Sequence, residues 1–339
     1  MFEVNIKIDK LSIGYKQGKK PGDPLLSNLS LSCKKGEITG LIGRNGTGKS
    51  TLLKTIAGLL KSIRGEIIIQ DINLNTISKR ELAKRISFVS TEVPAVQNLK
   101  VIELVSLGRY PYTDWTGRLV KNDWTVVNSA VEQTGIGHIS DKFISEVSDG
   151  ERQRVMIARA LAQNTAIIIL DEPTAFLDLP GRFEILRLLN HLAAEQEKTI
   201  LFSTHDLNIA LHEADNIWLI HNENILTGAP EDLIINKGFI KLFENSTLDF
   251  DDNIGEIKPL RSYTLRAGLG GDSTLKQWTI HALERLGIEV VEKDKNLNVQ
   301  VSDLNGKLTW TIIHKHDEIQ VNSIYELCLR LKYIINQKI

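Results

Sequence analysis

Gly43-Arg44-Asn45-Gly46-Thr47-Gly48-Lys49-Ser50-Thr51 satisfies the pattern Gly, four residues, Gly, Lys and Ser, and its reading decides the fold. Glycines in such a loop let the backbone turn tightly and aim consecutive N–H groups at phosphate oxygens. Lys49 then reaches the outer phosphates and Ser50 offers a hydroxyl to Mg2+. The context agrees. Glu37-Ile38-Thr39-Gly40-Leu41-Ile42 reads as a short buried strand before the loop, and Leu52, Leu53, Ile56, Ala57 and Leu60 follow at helical spacing. Strand, loop and helix in that order put the positive end of a helix dipole behind bare N–H groups. With ordinary glycine usage the fixed positions alone would match by chance in roughly one chain of this length in a hundred. The stretch is therefore read as a nucleoside triphosphate site.

The 339 residues exceed one core of ordinary size, so two domains are expected. A net charge of −1 gives no reason to expect a nucleic-acid partner. Cys33 and Cys328 lie far apart and form no metal-ligand spacing, which suits reduced thiols in a reducing compartment. The start, Met1-Phe2-Glu3-Val4, has no basic segment followed by an apolar run, and no window approaches a membrane span. A soluble, cytoplasmic chain is expected, with any membrane role exercised through a partner subunit.

Taken in order, residues 2 to 13 and Leu25 to Cys33 alternate apolar and polar, as half-exposed antiparallel strands do, with Tyr15 and a Lys16–Pro24 loop between them. Strand-like runs at 65–69 and 86–90 flank a helical segment, Ile77 to Lys84. From Val101 to Gly137 apolar residues recur at helical spacing, broken by Arg109 to Arg118, which reads as a helical subdomain of about 95–165 inserted into a sheet domain. Ala166 to Leu170 is a continuous apolar run, the mark of a parallel strand covered on both faces. An amphipathic helix, Phe183 to Ala194, leads to a buried strand, Thr199 to Ser203, then a closing hairpin and a short helix ending near Asn245. Residues 246–260 are acidic and read as an irregular linker. Residues 261–339 read as a small α+β domain: a strand, a helix (Ser273 to Leu286), four more strands and a final helix, Ile324 to Ile335. No internal repeat links it to residues 1–245.

The chemistry needs a hydroxyl and a carboxylate for Mg2+ and a group to activate water. Asp171 and Glu172, at the C-terminal edge of the Ala166–Leu170 strand, suit the metal shell and the general base respectively. A second anion site is expected at Ser148-Asp149-Gly150, where a hydroxyl and a glycine open a helix. One phosphate loop and one distant second anion site suggest that two chains share each nucleotide.

At this point the residues resemble a family. The phosphate loop, Ser148-Asp149-Gly150-Glu151-Arg152-Gln153, Ile167 to Pro173 (Walker B), Phe176-Leu177-Asp178 (D-loop) and Ser203-Thr204-His205-Asp206 (H-loop) look like an ABC-transporter ATP-binding subunit, over about residues 2 to 245. The implied fold is α/β: a P-loop ABC ATPase domain with mixed sheet and inserted helical subdomain, followed here by the small α+β domain. The implied cofactors are ATP and Mg2+. The resemblance implies a head-to-tail dimer with a second copy, in which Ser148 and Gly150 of one subunit contact the γ-phosphate held by Lys49 of the other. It also implies that Tyr15 stacks on adenine, that Gly43, Asn45, Gly46, Gly48, Ser50 and Thr51 complete the cradle, that Asp178 bridges the subunits and that His205 contacts the γ-phosphate. Val101 to Tyr112, with Gly117-Arg118-Leu119, resembles the ATPases of importers for iron-siderophore, haem and cobalamin. This implies polytopic permease partners, indirectly a solute-binding protein, and a peripheral place on the cytoplasmic face of a bacterial inner membrane.

Two departures stand out. Asp149 replaces the first glycine of the signature, and Ser90-Thr91-Glu92 stands where the family carries its Q-loop glutamine. Thr91 or Glu92 is expected to substitute, with Glu92 near the metal. Gly268-Leu269-Gly270-Gly271 before a helix reads as a turn with an N-cap at Asp272 or Ser273, phosphate binding being the other possibility, and His314 and His316 would share one strand face as an incomplete metal pair. Two other classes compete with the importer: a soluble ABC-type ATPase, and a regulatory nucleotide-binding protein not coupled to transport.

Overall fold

The computed structural model describes residues 3–14, 16–17, 20–21, 23–91, 98–244, 247–251, 255–271, 273–304, 307–315 and 317–336. Tyr15, Glu92, Asp272 and His316 fall outside that set. The chain divides between Ile257 and Lys258 into two compact units.

The main elements of the first unit are β1 (Val4–Ile13), β2 (Leu26–Lys34), β3 (Ile38–Ile42), α1 (Lys49–Ile56), β4 (Arg64–Ile69), β5 (Ile86–Val89), α2 (Val101–Ser106), α3 (Lys121–Gln133), α4 (Asp149–Ala162), β6 (Ile167–Leu170), α5 (Leu179–Ala194), β7 (Thr199–Thr204), α6 (Leu207–Glu213), β8 (Asn216–His221) and β9 (Asn224–Gly228). The central sheet runs β9-β8-β3-β7-β6-β5. All its pairings are parallel except β8 with β9. A second sheet joins β2, β1 and β4 by antiparallel pairing.

The continuous apolar runs are explained by two cores. Leu41, Ile167, Ile169 and Leu201 point into one, shared with α1 and the antiparallel sheet. Their neighbours Ile42, Ile168, Leu170, Ile200 and Phe202 point into the other, beneath α4 and α5. Successive strand residues face opposite sides, so a strand between two cores has no polar face to display.

Around the Arg109–Arg118 break, Arg109 is 5% exposed. Its Nε donates to Asp123 Oδ1 at 2.9 Å, its Nη1 donates to the Ala162 carbonyl at 3.0 Å, and its guanidinium lies 3.9 Å over the Tyr112 ring. Gly108 precedes it because the backbone presses on α4 there: a Cβ would sit 2.3 Å from the Arg159 carbonyl.

Several expectations need correcting. α1 stops at Ile56 and Leu60 lies beyond it, partly exposed, because Gly58 turns the chain at φ +72°. The helix expected at 77–84 is confined to Lys79–Leu82, capped by Ser78. The Lys16–Pro24 loop contains a two-residue pairing, Lys16–Gln17 with Lys20–Pro21. Two short helices, Pro230–Ile235 and Ile240–Phe243, replace the single one near Asn245. The acidic segment at 246–260 is not irregular throughout. Leu248–Asp251 is a strand whose Phe250 is buried against Phe239, ring centroids 5.3 Å apart. One aromatic anchors what the surrounding aspartates made look like a linker.

The second unit contains β10 (Leu265–Gly271), α7 (Ser273–Arg285), β11 (Ile288–Val291), β12 (Leu297–Leu304), β13 (Lys307–His314), β14 (Asp317–Val321) and α8 (Ile324–Asn336). Its sheet order is β11-β10-β12-β13-β14. The glycine run expected as a turn lies inside β10. A Cβ at Gly268 would meet Asn298 Oδ1 at 2.1 Å and Lys293 Cα at 2.8 Å, because the β11–β12 connection crosses β10 at this residue. The glycines there serve packing, and among the described residues no set of three metal-ligating side chains gathers anywhere in the chain.

Candidate nucleotide-binding and hydrolysis site

The loop between β3 and α1 lies at the C-terminal edge of the central sheet, where open α/β sheets bind ligands. Gly48 caps α1 at φ +97°, a conformation costly for any residue with a Cβ. The first turn of α1 is Lys49-Ser50-Thr51 and carries no carboxylate, so the helix N–H groups keep their positive field. Lys49 is buried, and its Nζ donates to the carbonyls of Gly43 at 2.8 Å and Arg44 at 3.2 Å. Burial lowers its pKa, and the carboxylates of Glu172 and Asp171 act against that. A buried ammonium whose partners are carbonyl oxygens fits phosphate oxygens equally well. Arg44, Asn45 and Gly46 are exposed along the loop, while Thr51 is buried.

β6 ends in Asp171 and Glu172. Asp171 is 2% exposed and accepts a hydrogen bond from the Ser203 hydroxyl at 2.6 Å. The same Ser203 oxygen accepts from the Glu172 N–H at 3.0 Å. Glu172 adopts φ +49°, rare for a side chain of its size, and turns its carboxylate to within 3.5 Å of His205 Nδ1. Asp171, Glu172, Ser203 and His205 thus meet at the ends of two adjacent parallel strands. Ser203 was quoted in the H-loop motif but given no role of its own, because it lies in the run Thr199–Thr204, every residue of which is buried. A hydroxyl one strand away from two consecutive carboxylates was the available signal.

The Ser148 region is built differently. Ser148 caps α4: its hydroxyl accepts from the Glu151 N–H at 3.2 Å and donates to Glu151 Oε2 at 3.0 Å. The Ser148 N–H also donates to Glu151 Oε2, at 2.8 Å, and this bond with that from the hydroxyl holds the Glu151 carboxyl below its ordinary pKa. Asp149, the departure from the expected glycine, is the first residue of α4 and pairs with Arg152 at 2.8 Å. Two carboxylates therefore occupy the first turn, one engaged by the cap and one by Arg152. Gln153 donates to the Pro173 carbonyl at 3.2 Å, tying α4 to the turn after β6. Gly150 faces Leu177, and a Cβ there would lie 3.3 Å from Leu177 Cδ2. Asp178 caps α5 through the Gly181 N–H at 3.0 Å. Phe176 stands out at 69% exposure with φ +64°.

Within one chain the structure brings together Lys49, Asp171, Glu172 and His205. Ser148 and Gly150 belong to the group around Leu177 and Asp178. Thr91 is half-buried, while the places of Tyr15 and Glu92 lie outside the described residues. The donor set suits Mg2+: a Ser50 hydroxyl and the Asp171 carboxylate are hard oxygen ligands.

Comparison with known proteins gives a consistent result. Residues 26–175 match the ABC transporter family model, and residues 265–332 match a model described as an iron ABC transporter C-terminal domain. An achromobactin transport ATP-binding protein of Dickeya dadantii is 38% identical over 237 residues, 70% of this chain and 86% of the relative. An iron(3+)-hydroxamate import ATP-binding protein of Bacillus subtilis is 41% identical over 207 residues, 61% of this chain and 75% of the relative. A dimeric structure of a bacterial ABC transporter cassette aligns with TM-score 0.60 and 30% identity, covering 66% of this chain and 98% of that one.

Proposed function

This chain belongs to the ABC-transporter ATP-binding family, and from that membership we propose that it powers import of an iron chelate of the siderophore kind through separate permease subunits. Its catalytic activity is ATP hydrolysis. Gly43, Asn45, Gly46, Gly48 and Thr51 form the phosphate cradle, with Lys49 on the outer phosphates. Ser50 and Asp171 are the residues that would hold Mg2+, which neutralises phosphate charge as the γ-phosphoryl departs. Glu172 takes the proton of the attacking water, and His205, beside it, binds the γ-phosphate edge. Ser203 keeps Glu172 and Asp171 in register by bonding both. The observation that carries this reading is the 3.5 Å approach of His205 Nδ1 to Glu172 Oε2 next to a buried lysine and a carboxylate-free helix start.

The second copy supplies Ser148 and Gly150 to complete each nucleotide site, with Asp178 at the junction; the dimeric relative supports this. No helix among the described residues is long and apolar enough to cross a membrane; the place proposed for the chain is the cytoplasmic face, held through the permease. A surface for it is at hand. Leu107, Tyr110 and Trp115, near the buried Arg109 in sequence, are themselves exposed, Trp115 at 95%. Exposed Tyr and Trp side chains are common interface anchors. The C-terminal unit matches a model described as an iron ABC transporter C-terminal domain, which favours the importer over a regulatory protein not coupled to transport.

The test is Glu172→Gln. ATP binding and ATP-dependent dimerisation should persist while turnover falls by roughly 10²–10⁴-fold, the usual contribution of a general base. Turnover at the normal rate would remove Glu172 from that role. For the transport reading, purification of the tagged chain from gently solubilised membranes should recover a polytopic permease, and recovery of soluble partners alone would argue against import.

A further inference from the structure

At the edge of the central sheet opposite the phosphate loop, a cavity of about 320 Å3 opens between α3, the end of α4 and the turn from α5 into β7. Lys198 stands in its wall, one residue before β7 begins. Its Nζ donates to the Thr165 carbonyl at 2.7 Å, and burial lowers its pKa with no charged neighbour acting against that. Glu197, next to it in sequence, pairs with Lys35 at 2.9 Å instead. Among the described residues no acidic side chain lines the cavity. Thr125, Ser129 and Gln133 recur every four residues and so form one stripe of α3 along it, where Gln133 donates to the Ser129 hydroxyl at 3.0 Å. Asn164 and Gln196 add amides, while Leu161 and Leu192 are buried apolar members of the lining. ATP hydrolysis uses none of these residues.

We infer that this cavity binds a small organic carboxylate bearing hydroxyl groups, with the Lys198 ammonium on the carboxylate. Taking an ammonium partly out of water is unfavourable unless a counter-charge compensates it, and the chain provides none here. Lys49, at the other edge of the sheet, is also a desolvated ammonium donating to a backbone carbonyl, and there the carboxylates of Glu172 and Asp171 stand near. A desolvated titratable group in a cleft is the mark of a ligand site. The rest of the lining sets the class of ligand. Lys198 brings a single charge, with no arginine fork among the described residues of the wall, which suits a carboxylate better than a phosphate dianion. Hydroxyls and amides both donate and accept, so they match hydroxyl groups on the ligand. Leu161 and Leu192 take its carbon skeleton, and the volume lies at the small end of ligand sites. Occupancy joins α3 to the start of β7, the strand whose other end carries Ser203.

The experiment uses the full chain carrying Glu172→Gln and saturated with Mg-ATP, which fills the Lys49 site and keeps added carboxylates off it. Calorimetric titration with lactate, mevalonate and gluconate, hydroxycarboxylates of rising size, should show at least one binding one-to-one with a Kd below about 1 mM. Pentanoate, which lacks the hydroxyls, and sorbitol, which lacks the carboxylate, should each bind at least about tenfold more weakly. Lys198→Met keeps the apolar stem and should weaken binding by about 10–100-fold. Ser129→Leu acts from an exposed position on the opposite wall and should abolish binding by filling the cavity. Both variants should bind ATP as before, which shows that the fold is intact. Absence of binding by all three hydroxycarboxylates, or binding that survives in both variants, would overturn the inference. So would sorbitol matching the best carboxylate, or inorganic phosphate binding in preference to every one of them.

Discussion

Ser203 is the residue on which the hydrolysis site turns. Its one oxygen donates to Asp171 and accepts from the Glu172 amide, so it fixes at once the two residues proposed as metal ligand and base. Ser203→Ala leaves a buried carboxylate short of a donor and an amide short of an acceptor, at a cost of about 1–3 kcal/mol for such groups. The expected kinetic signature is a fall in kcat with ATP affinity nearly unchanged and a raised Mg2+ requirement, read from steady-state hydrolysis across Mg2+ concentrations. Unchanged kcat and unchanged Mg2+ dependence would sink the assignment. Lys49, Asp171 and Glu172 were singled out in the sequence, and their proposed roles assigned, because phosphate chemistry constrains residue types at fixed spacing along the chain. Ser203 was not, because its partners come from a neighbouring strand and its own run is uniformly buried. Phe176 was quoted as part of a motif, but its exposure depends on the turn around it rather than on neighbours in sequence.

At the scale of elements, the helices around residues 101–162 share an apolar core and a buried ion pair, Arg109–Asp123. Burial pushes the Asp123 carboxyl up, but the Val120 N–H and the Arg109 guanidinium more than offset this and hold it below its ordinary value. A carboxyl whose folded pKa lies below its unfolded one contributes stability above the unfolded value, and loses that contribution as pH falls through the folded one. Acid should therefore loosen α2 and α3 only below the usual carboxylate range, near pH 4 and downward. Asp123→Asn should flatten that part of the stability profile. Arg109→Ala should cost about 3–5 kcal/mol by stranding a buried charge, whereas Arg109→Met with Asp123→Leu should cost far less. Trp124 on α3 reports both in denaturant titrations, and equal losses for the single and double variants would contradict the account. The periodicity of Val101 to Val131 disclosed these helices, and the Pro and Gly content disclosed the break. That Arg109 turns inward was hidden, since an arginine beside tyrosines and a proline reads as surface until its partner 14 residues on is placed against it.

At the scale of the whole molecule, two separately built hydrophobic systems share one chain. The first unit surrounds its central sheet with two cores, and the second has its own, centred on Trp310, Leu283 and Leu331. The second unit's order of a strand, a helix, four more strands and a final helix was legible because periodicity is a local signal, while its glycines were misread because the close approach that requires them is made by another segment. Separate cores imply separate melting. Calorimetry of the full chain carrying Glu172→Gln should resolve two transitions, since each core unfolds as its own cooperative unit. Mg-ATP at a hundredfold excess over its Kd stabilises the unit that binds it by about 2.7 kcal/mol, which should raise that transition by roughly 5–10 °C and leave the other in place. Thr279 accepts the Trp310 indole N–H at 2.9 Å, so Thr279→Ala should lower only the second transition. A single transition that moves as a whole with nucleotide, and with Thr279→Ala, would mean that the two cores are thermodynamically one and that the C-terminal unit answers to ATP.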